Sequence, residues 1–142
     1  MTVTPREAFA RFQNRVLNFG ASTGEAGEWS AEELYAEDLV VEFPFARPGT
    51  PRRIEGREAF AAFAEPQRAA LPVRFLGFRD VVVHDTVDPE VIIAEYELAG
   101  THTRTGHSAS ARFAAVIRVR DGKVVLWREY QDTRAIEDAL GA

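Results

Sequence analysis

The chain has 142 residues, 17 basic and 22 acidic, for a net charge of −5, with both signs scattered along its length. That length suits one domain over residues 1–142 with a core and space for a pocket. No basic run or aromatic RNA-binding motif is present, which argues against nucleic acid as a partner. The absence of cysteine excludes disulfides and thiolate chemistry. No apolar stretch reaches membrane-spanning length and no signal-peptide pattern opens the chain, so the expectation is a soluble cytoplasmic protein that does not engage the membrane.

Thr4-Pro5-Arg6-Glu7 reads as a capped helix start, followed by Phe9, Phe12, Val16 and Phe19 on one helical stripe. Residues 20–28 read as a loop whose glycines lack the Gly-Lys-Ser/Thr of a phosphate loop. Ser30 and Glu33 cap a short second helix through Tyr35. Leu39 to Phe45 reads as a strand, closed by Pro44 and the Arg47-Pro48-Gly49 turn, with Arg52 to Glu55 as a short return strand. Gly56 opens a third helix carrying Ala59, Phe60 and Phe63, ended or kinked near Pro66.

From Val73 the hydrophobic period changes to two, predicting strands at 73–84, 91–103, 107–120 and 123–132. Asp121-Gly122 is a type I′ hairpin turn, because glycine accepts the positive φ that turn demands. Asp132 reads either as the cap of a terminal helix over 133–140 or as a carboxylate at the mouth of a pocket. Helices early and an antiparallel meander late predict an α+β fold: a curved sheet with helices on one face.

The last strand carries the strongest chemical signal. Alternation places Val125, Trp127, Glu129 and Gln131 on one face and Leu126, Arg128, Tyr130 and Asp132 on the other. A carboxylate beside an aromatic in a dry place is how proteins make a general acid or base. Glu129 is therefore either a pocket acid/base or an ion-pair partner of Arg128, Arg112 or Arg118. Trp127 is a core residue or a ligand platform, and Tyr35 packs or donates a hydrogen bond into the pocket. Phe9, Phe12, Phe43, Phe60 and Phe63 offer apolar lining. His102, near a strand end, is a loop histidine or a polarising group; His84 and His107 are weaker candidates. Three scattered histidines without cysteine predict no metal site. Glu95 and Glu97 share a face that fits cross-strand charge pairing. Tyr96, Leu126 and Tyr130 fall on plausible outward positions, which predicts a homodimer.

Three segments carry a family resemblance: Leu34-Tyr-Ala-Glu-Asp-Leu-Val-Val-Glu-Phe-Pro44, Ile54-Glu-Gly-Arg-Glu58 and Arg118-Val-Arg-Asp-Gly122. With the element order, they resemble the superfamily of nuclear transport factor 2, ketosteroid isomerase and the SnoaL-like polyketide cyclases, which implies a cone-shaped curved antiparallel sheet, an α+β barrel, with three N-terminal helices on its concave face. In ketosteroid isomerase the base directly precedes the proline of the first strand, here Phe43. In the cyclases it is an aspartate three residues before the Arg-Val-Arg-Asp-Gly segment, here Ala115. The Gly100-Thr-His-Thr103 segment looks like the cyclases' histidine strand, which implies His102. The phenazine-biosynthesis A/B branch is similar around Phe45-Ala-Arg-Pro-Gly-Thr-Pro51, and Arg128-Glu129-Tyr130 is similar to its Arg-Glu-Phe, although its helix-three histidine has no counterpart here. The resemblance implies a cofactor-free isomerase, cyclase or dehydratase for a small apolar carbonyl or polyketide-like compound. Glu129 would move the proton, His102 or Tyr35 would polarise an oxygen, and Trp127, Phe43, Phe12, Phe60, Phe63 and Gln131 would bind substrate. The competing readings are a non-catalytic small-molecule-binding module and a structural dimerisation domain of the same fold.

Overall fold

The computed structural model describes residues 2–18 and 29–141. Phe19 and the loop at 20–28 lie outside the described residues. The elements in chain order are α1 (Pro5–Leu17), α2 (Ala31–Leu34), β1 (Tyr35–Glu42), β2 (Arg53–Glu55), α3 (Arg57–Ala70), β3 (Val73–Asp85), β4 (Val91–His102), β5 (Ser108–Arg120), β6 (Lys123–Gln131) and α4 (Thr133–Gly141).

Local chemistry sets the helix starts. Thr4 and Ser30 each form a full capping box, with Glu7 and Glu33 reaching back to the cap nitrogens. Asp132 caps α4: its side chain accepts from the Ala135 N–H at 3.0 Å. Pro66 does not end α3, which continues to Ala70. The first strand starts earlier than its apolar run suggests, at Tyr35, because Tyr35 already pairs with Val124 and buries its ring.

The strands form one open sheet in the order β2-β1-β6-β5-β4-β3. It is mixed rather than wholly antiparallel: β6 returns into the slot beside β1 and pairs with it in parallel. The sheet has two free edges, β2 and β3, so it curves without closing. Irregularities help it bend, as extra residues locally raise strand twist. Two interrupt the β3–β4 ladder, between Phe75 and Gly77 and between Arg79 and Val82, and Asp80 there has φ 52°. Another lies between Arg118 and Val119, opposite Val125. That extra residue shifts the period in β6, so Val124 is fully buried and Val125 only half-buried, contrary to strict alternation.

The core lies between the concave face and α1. Ala8 and Phe9 of α1 are buried against Tyr96, whose ring centroid stands 5.6 Å from that of Phe9, while Phe12 meets Trp127 at 4.2 Å. Tyr96 is thus an interior residue, 1% exposed, and not part of an outward patch; Leu126 and Tyr130 are half-buried on the other face. The alternating set Ile92, Ala94 and Tyr96, all buried, identifies the inner face of β4, with exposed Glu95 opposite.

The turn between β5 and β6 has φ 52° at Asp121 and 81° at Gly122, the two positive values of a type I′ hairpin. Gly122→Ala is expected to destabilise the fold by about 1–2 kcal/mol, because an L side chain in this region meets its own carbonyl. Urea denaturation at neutral pH measures it; an unchanged midpoint would show that the turn relaxes.

Candidate active site

The concave face and α3 enclose a cavity of about 260 Å³. Its wall includes Phe12 from α1, Tyr35 and Val41 from β1, Phe43 just after β1, and Phe60, Phe63 and Arg68 from α3. Tyr96, Phe113, Trp127, Glu129 and Gln131 complete it from β4, β5 and β6. Eight of the nine sequence-predicted site residues therefore meet in one space: Glu129, Tyr35, Trp127, Phe43, Phe12, Phe60, Phe63 and Gln131. Phe9, expected in the lining, is instead core at 2% exposure.

His102 is not in this wall. It ends β4 beside a separate apolar chamber of about 200 Å³. Its Nδ1 accepts from the backbone N–H groups of Arg104 and Thr105 at 3.2 and 3.4 Å. That geometry makes it a turn-stabilising residue and removes it from the Glu129 constellation. His84 is held by Glu95 at 2.6 Å on the outer side of the sheet. Among the described residues no group of three or more histidine and carboxylate side chains is arranged to hold a metal.

The ion-pair reading of Glu129 fails on geometry. Arg128 pairs with Glu42 at 2.9 Å, and Arg118 with Asp88 and Glu90 at 3.0 and 2.9 Å. Arg112 lies nearest Asp80 and Glu97, at 3.8 and 3.9 Å. All three arginines are engaged away from the cavity. Glu129 instead accepts hydrogen bonds from neutral donors: Trp127 Nε1 at 3.1 Å and the Tyr96 hydroxyl at 3.5 Å on Oε1, and Gln131 Nε2 at 2.6 Å on Oε2. Trp127 and Gln131 flank it on the same strand face, so the i±2 spacing of a strand makes the site. A carboxylate offers about four lone-pair positions. The three donors leave one, and Glu129, half-buried, lines the cavity.

Burial pushes the Glu129 carboxyl above its ordinary value, while hydrogen bonds from Gln131, Trp127 and Tyr96 and the charge of Arg68 pull it back. Burial also raises Tyr35, and raises Tyr96 well above the usual tyrosine range, in both cases with the Glu129 charge adding to the effect. Arg68 is lowered, chiefly by burial. The raised carboxyl has a consequence for stability. The folded state holds its proton more tightly than the unfolded chain, so the Glu129 contribution declines as pH rises from the ordinary glutamate value through the raised one. Denaturant melts of wild type and Glu129→Gln across pH 4 to 8 (about the glutamate range and above) should show the variant gaining on wild type as pH rises. A constant difference would place the carboxyl at its ordinary value.

Tyr96 and Arg68 are the site residues that sequence reasoning missed. The apolar alternation Ile92, Ala94, Tyr96, Leu98 carried the signal for the first. For Arg68 no signal existed, since an arginine in the last turn of a helix is ordinarily a solvated residue that favours the helix dipole.

Residues 25–127 match the SnoaL-like domain. The chain belongs to the SnoaL-like family. It is 35% identical over 118 residues, 83% of this chain and 80% of the relative, to an uncharacterised PhzA/B-like protein of Pseudomonas aeruginosa. It is 31% identical over 109 residues, 77% of this chain and 73% of the relative, to the uncharacterised protein YesE of Bacillus subtilis. Among solved structures, one from Bacillus subtilis named "Putative Isomerase" superposes with a TM-score of 0.80 at 27% identity, covering 96% of this chain and 92% of that one. A phenazine biosynthesis-related protein of Pseudomonas aeruginosa superposes at 0.66 with 21% identity, covering 96% of this chain and 84% of that one, a likeness of fold. No helix among the described residues is long and apolar enough to cross a membrane.

Proposed function

We propose that this SnoaL-like protein is a cofactor-free acid–base enzyme of the isomerase or cyclase type, acting on a small, largely apolar carbonyl compound. The observation that carries the reading is Glu129: a carboxylate in a largely apolar cavity, held by neutral donors, with its predicted ion-pair partners Arg128, Arg118 and Arg112 engaged elsewhere. Ionised, it takes a proton from the carbon next to a carbonyl, and the electron pair moves onto the carbonyl oxygen. The same carboxyl then returns the proton to another carbon, giving isomerisation, or the enolate carbon attacks a second carbonyl, whose oxygen takes the π-electron pair and then the proton from Glu129, giving cyclisation. Trp127 and Gln131 fix the carboxylate rather than react. The 200 Å³ chamber beside His102 shares Leu71, Phe75, Leu98, Phe113 and Gln131 with the cavity wall, so an apolar portion of the substrate is expected to lie on that side. The relatives with phenazine and isomerase names support this class of chemistry.

One set of residues favours a non-catalytic binding module instead. Phe43 and Ala115 stand at two positions where related enzymes carry their base, and neither can move a proton. Exchange in D2O separates the readings. Cyclic enones and β-dicarbonyl compounds incubated with the protein should gain deuterium at the carbon next to the carbonyl, read by mass spectrometry. Compounds that quench tryptophan fluorescence in the wild type and not in a Trp127→Phe variant, yet gain no deuterium above background, would identify a binder.

A further inference from the structure

Two charged side chains line the Glu129 cavity among the described residues: Glu129 itself, on β6, and Arg68, on α3. Every other lining residue is apolar or neutral, including Tyr35. The cavity is thus dipolar, with a proton acceptor on the sheet and a guanidinium on the helix wall. Arg68 lies in the last turn of α3, and the start of that helix is held to the sheet: Gly56 N–H donates to the Leu39 carbonyl at 2.6 Å, and Arg57 Nη1 donates to the Tyr35 carbonyl at 3.1 Å. These bonds tie the start of α3 to the strand that carries Tyr35.

The geometry points to Arg68, beside Tyr35, as the pole that receives an anionic ligand oxygen, the enolate-type oxygen of a planar unsaturated ring. This deepens the proposed function by orienting its substrate: reacting carbon toward β6, oxygen toward α3. The charge balance fits the step. When Glu129 takes a proton it becomes neutral and the substrate oxygen becomes negative, so the negative charge crosses the cavity toward the guanidinium. A cation at the receiving end stabilises the charge where it develops, and electrostatic stabilisation of that kind is usually the largest single contribution to lowering a barrier. Burial lowers the proton affinity of Arg68, and the ionisable groups that bear on it are Tyr35, Arg15, Glu65 and Glu129. Of the two sequence-derived candidates for polarising an oxygen, His102 lies in the other chamber, whereas Tyr35 lines this cavity with Arg68.

The test reads binding, not turnover, so its failure and the failure of the acid–base reading are separate results. Nitrophenols of graded acidity are titrated into wild type, Glu129→Gln and Glu129→Gln/Arg68→Met, with absorbance reporting whether the bound phenol is ionised. The neutral 4-nitroanisole serves as a shape control. In Glu129→Gln, where no carboxylate competes, the bound phenol should be ionised below its free pKa, and affinity should rise with phenol acidity. Adding Arg68→Met should weaken phenolate binding about tenfold or more, since an opposite charge nearby shifts such an equilibrium by roughly one pKa unit or more. Anisole binding should not change, and Arg68→Lys should recover part of the loss. Equal affinity for phenolate and anisole, or an Arg68→Met variant that still binds ionised phenol as tightly, would overturn the assignment. If Arg68→Met does not fold by circular dichroism, the acidity series in Glu129→Gln alone decides: a flat series overturns it.

Discussion

Glu129→Gln should lower the rate of carbon deuteration by about 10²–10⁴ while leaving ligand binding nearly intact. The amide keeps the volume of the carboxylate and still receives the Trp127 N–H on its oxygen, so the cavity wall is preserved. What it loses is the ability to carry a proton. The Gln131 contact must rearrange, because Gln131 donates its amide N–H to Oε2 at 2.6 Å and an amide NH₂ there has no lone pair to accept it. A flip of the Gln131 amide presents its oxygen instead and restores the bond. The variant should therefore melt close to wild type at acidic pH and above it at neutral pH, following the raised carboxyl. The pH profile of wild-type exchange should inflect above the ordinary glutamate value, since only the ionised form takes a proton. Undiminished exchange in Glu129→Gln would remove the carboxylate from the chemistry, whatever the fate of stability.

Much of this site was legible in one strand. The i±2 spacing of Trp127, Glu129 and Gln131 fixes their common face once Asp121-Gly122 fixes the hairpin, and the turn has the two positive φ values that the dipeptide implies. The capping boxes at Thr4 and Ser30 were equally local and equally readable. What sequence could not supply was nonlocal. The parallel pairing of β1 with β6 joins Val41 to Trp127, and no local pattern encodes which strand fills that slot. The period shift at Val125 depends on a bulge defined by the partner strand. Tyr96 was misplaced because alternation divides a strand into two faces without stating which is inside; its own neighbours Ile92 and Ala94 held that answer. His102 carried a family-like segment, yet its position at the far end of β4 sends it to the turn. A motif places a residue in a strand, while the length of the strand decides which chamber it reaches.

Ala115→Asp should destabilise the protein by roughly 3–5 kcal/mol at neutral pH, the cost typical of an uncompensated charge in a core. Ala115 is fully buried and sits directly across from Glu129 in the β5–β6 ladder, with Ala94, also fully buried, as its partner on β4. Cross-strand partners in register point to the same face, so the new carboxyl would share the space of Glu129. Two carboxyls there cannot both ionise without mutual repulsion, and at least one is forced to keep its proton well above the usual range. The loss should shrink as pH falls through the carboxylate range, because both folded-state values are raised and protonation removes the repulsion. Position 115 is where the resembling cyclases carry their base, so the substitution also asks whether this cavity holds one carboxylate or two. The double variant Ala115→Asp/Glu129→Gln gives the answer. Replacing Glu129 by an amide removes the repulsion and supplies a donor to the new carboxylate, so the two substitutions should be less destabilising together than their sum by about 1–3 kcal/mol. Urea denaturation of the four proteins measures that coupling. Additivity to within about 0.5 kcal/mol would mean that the two side chains do not share one space, and that the carboxylate of Glu129 is not where its chemistry requires it.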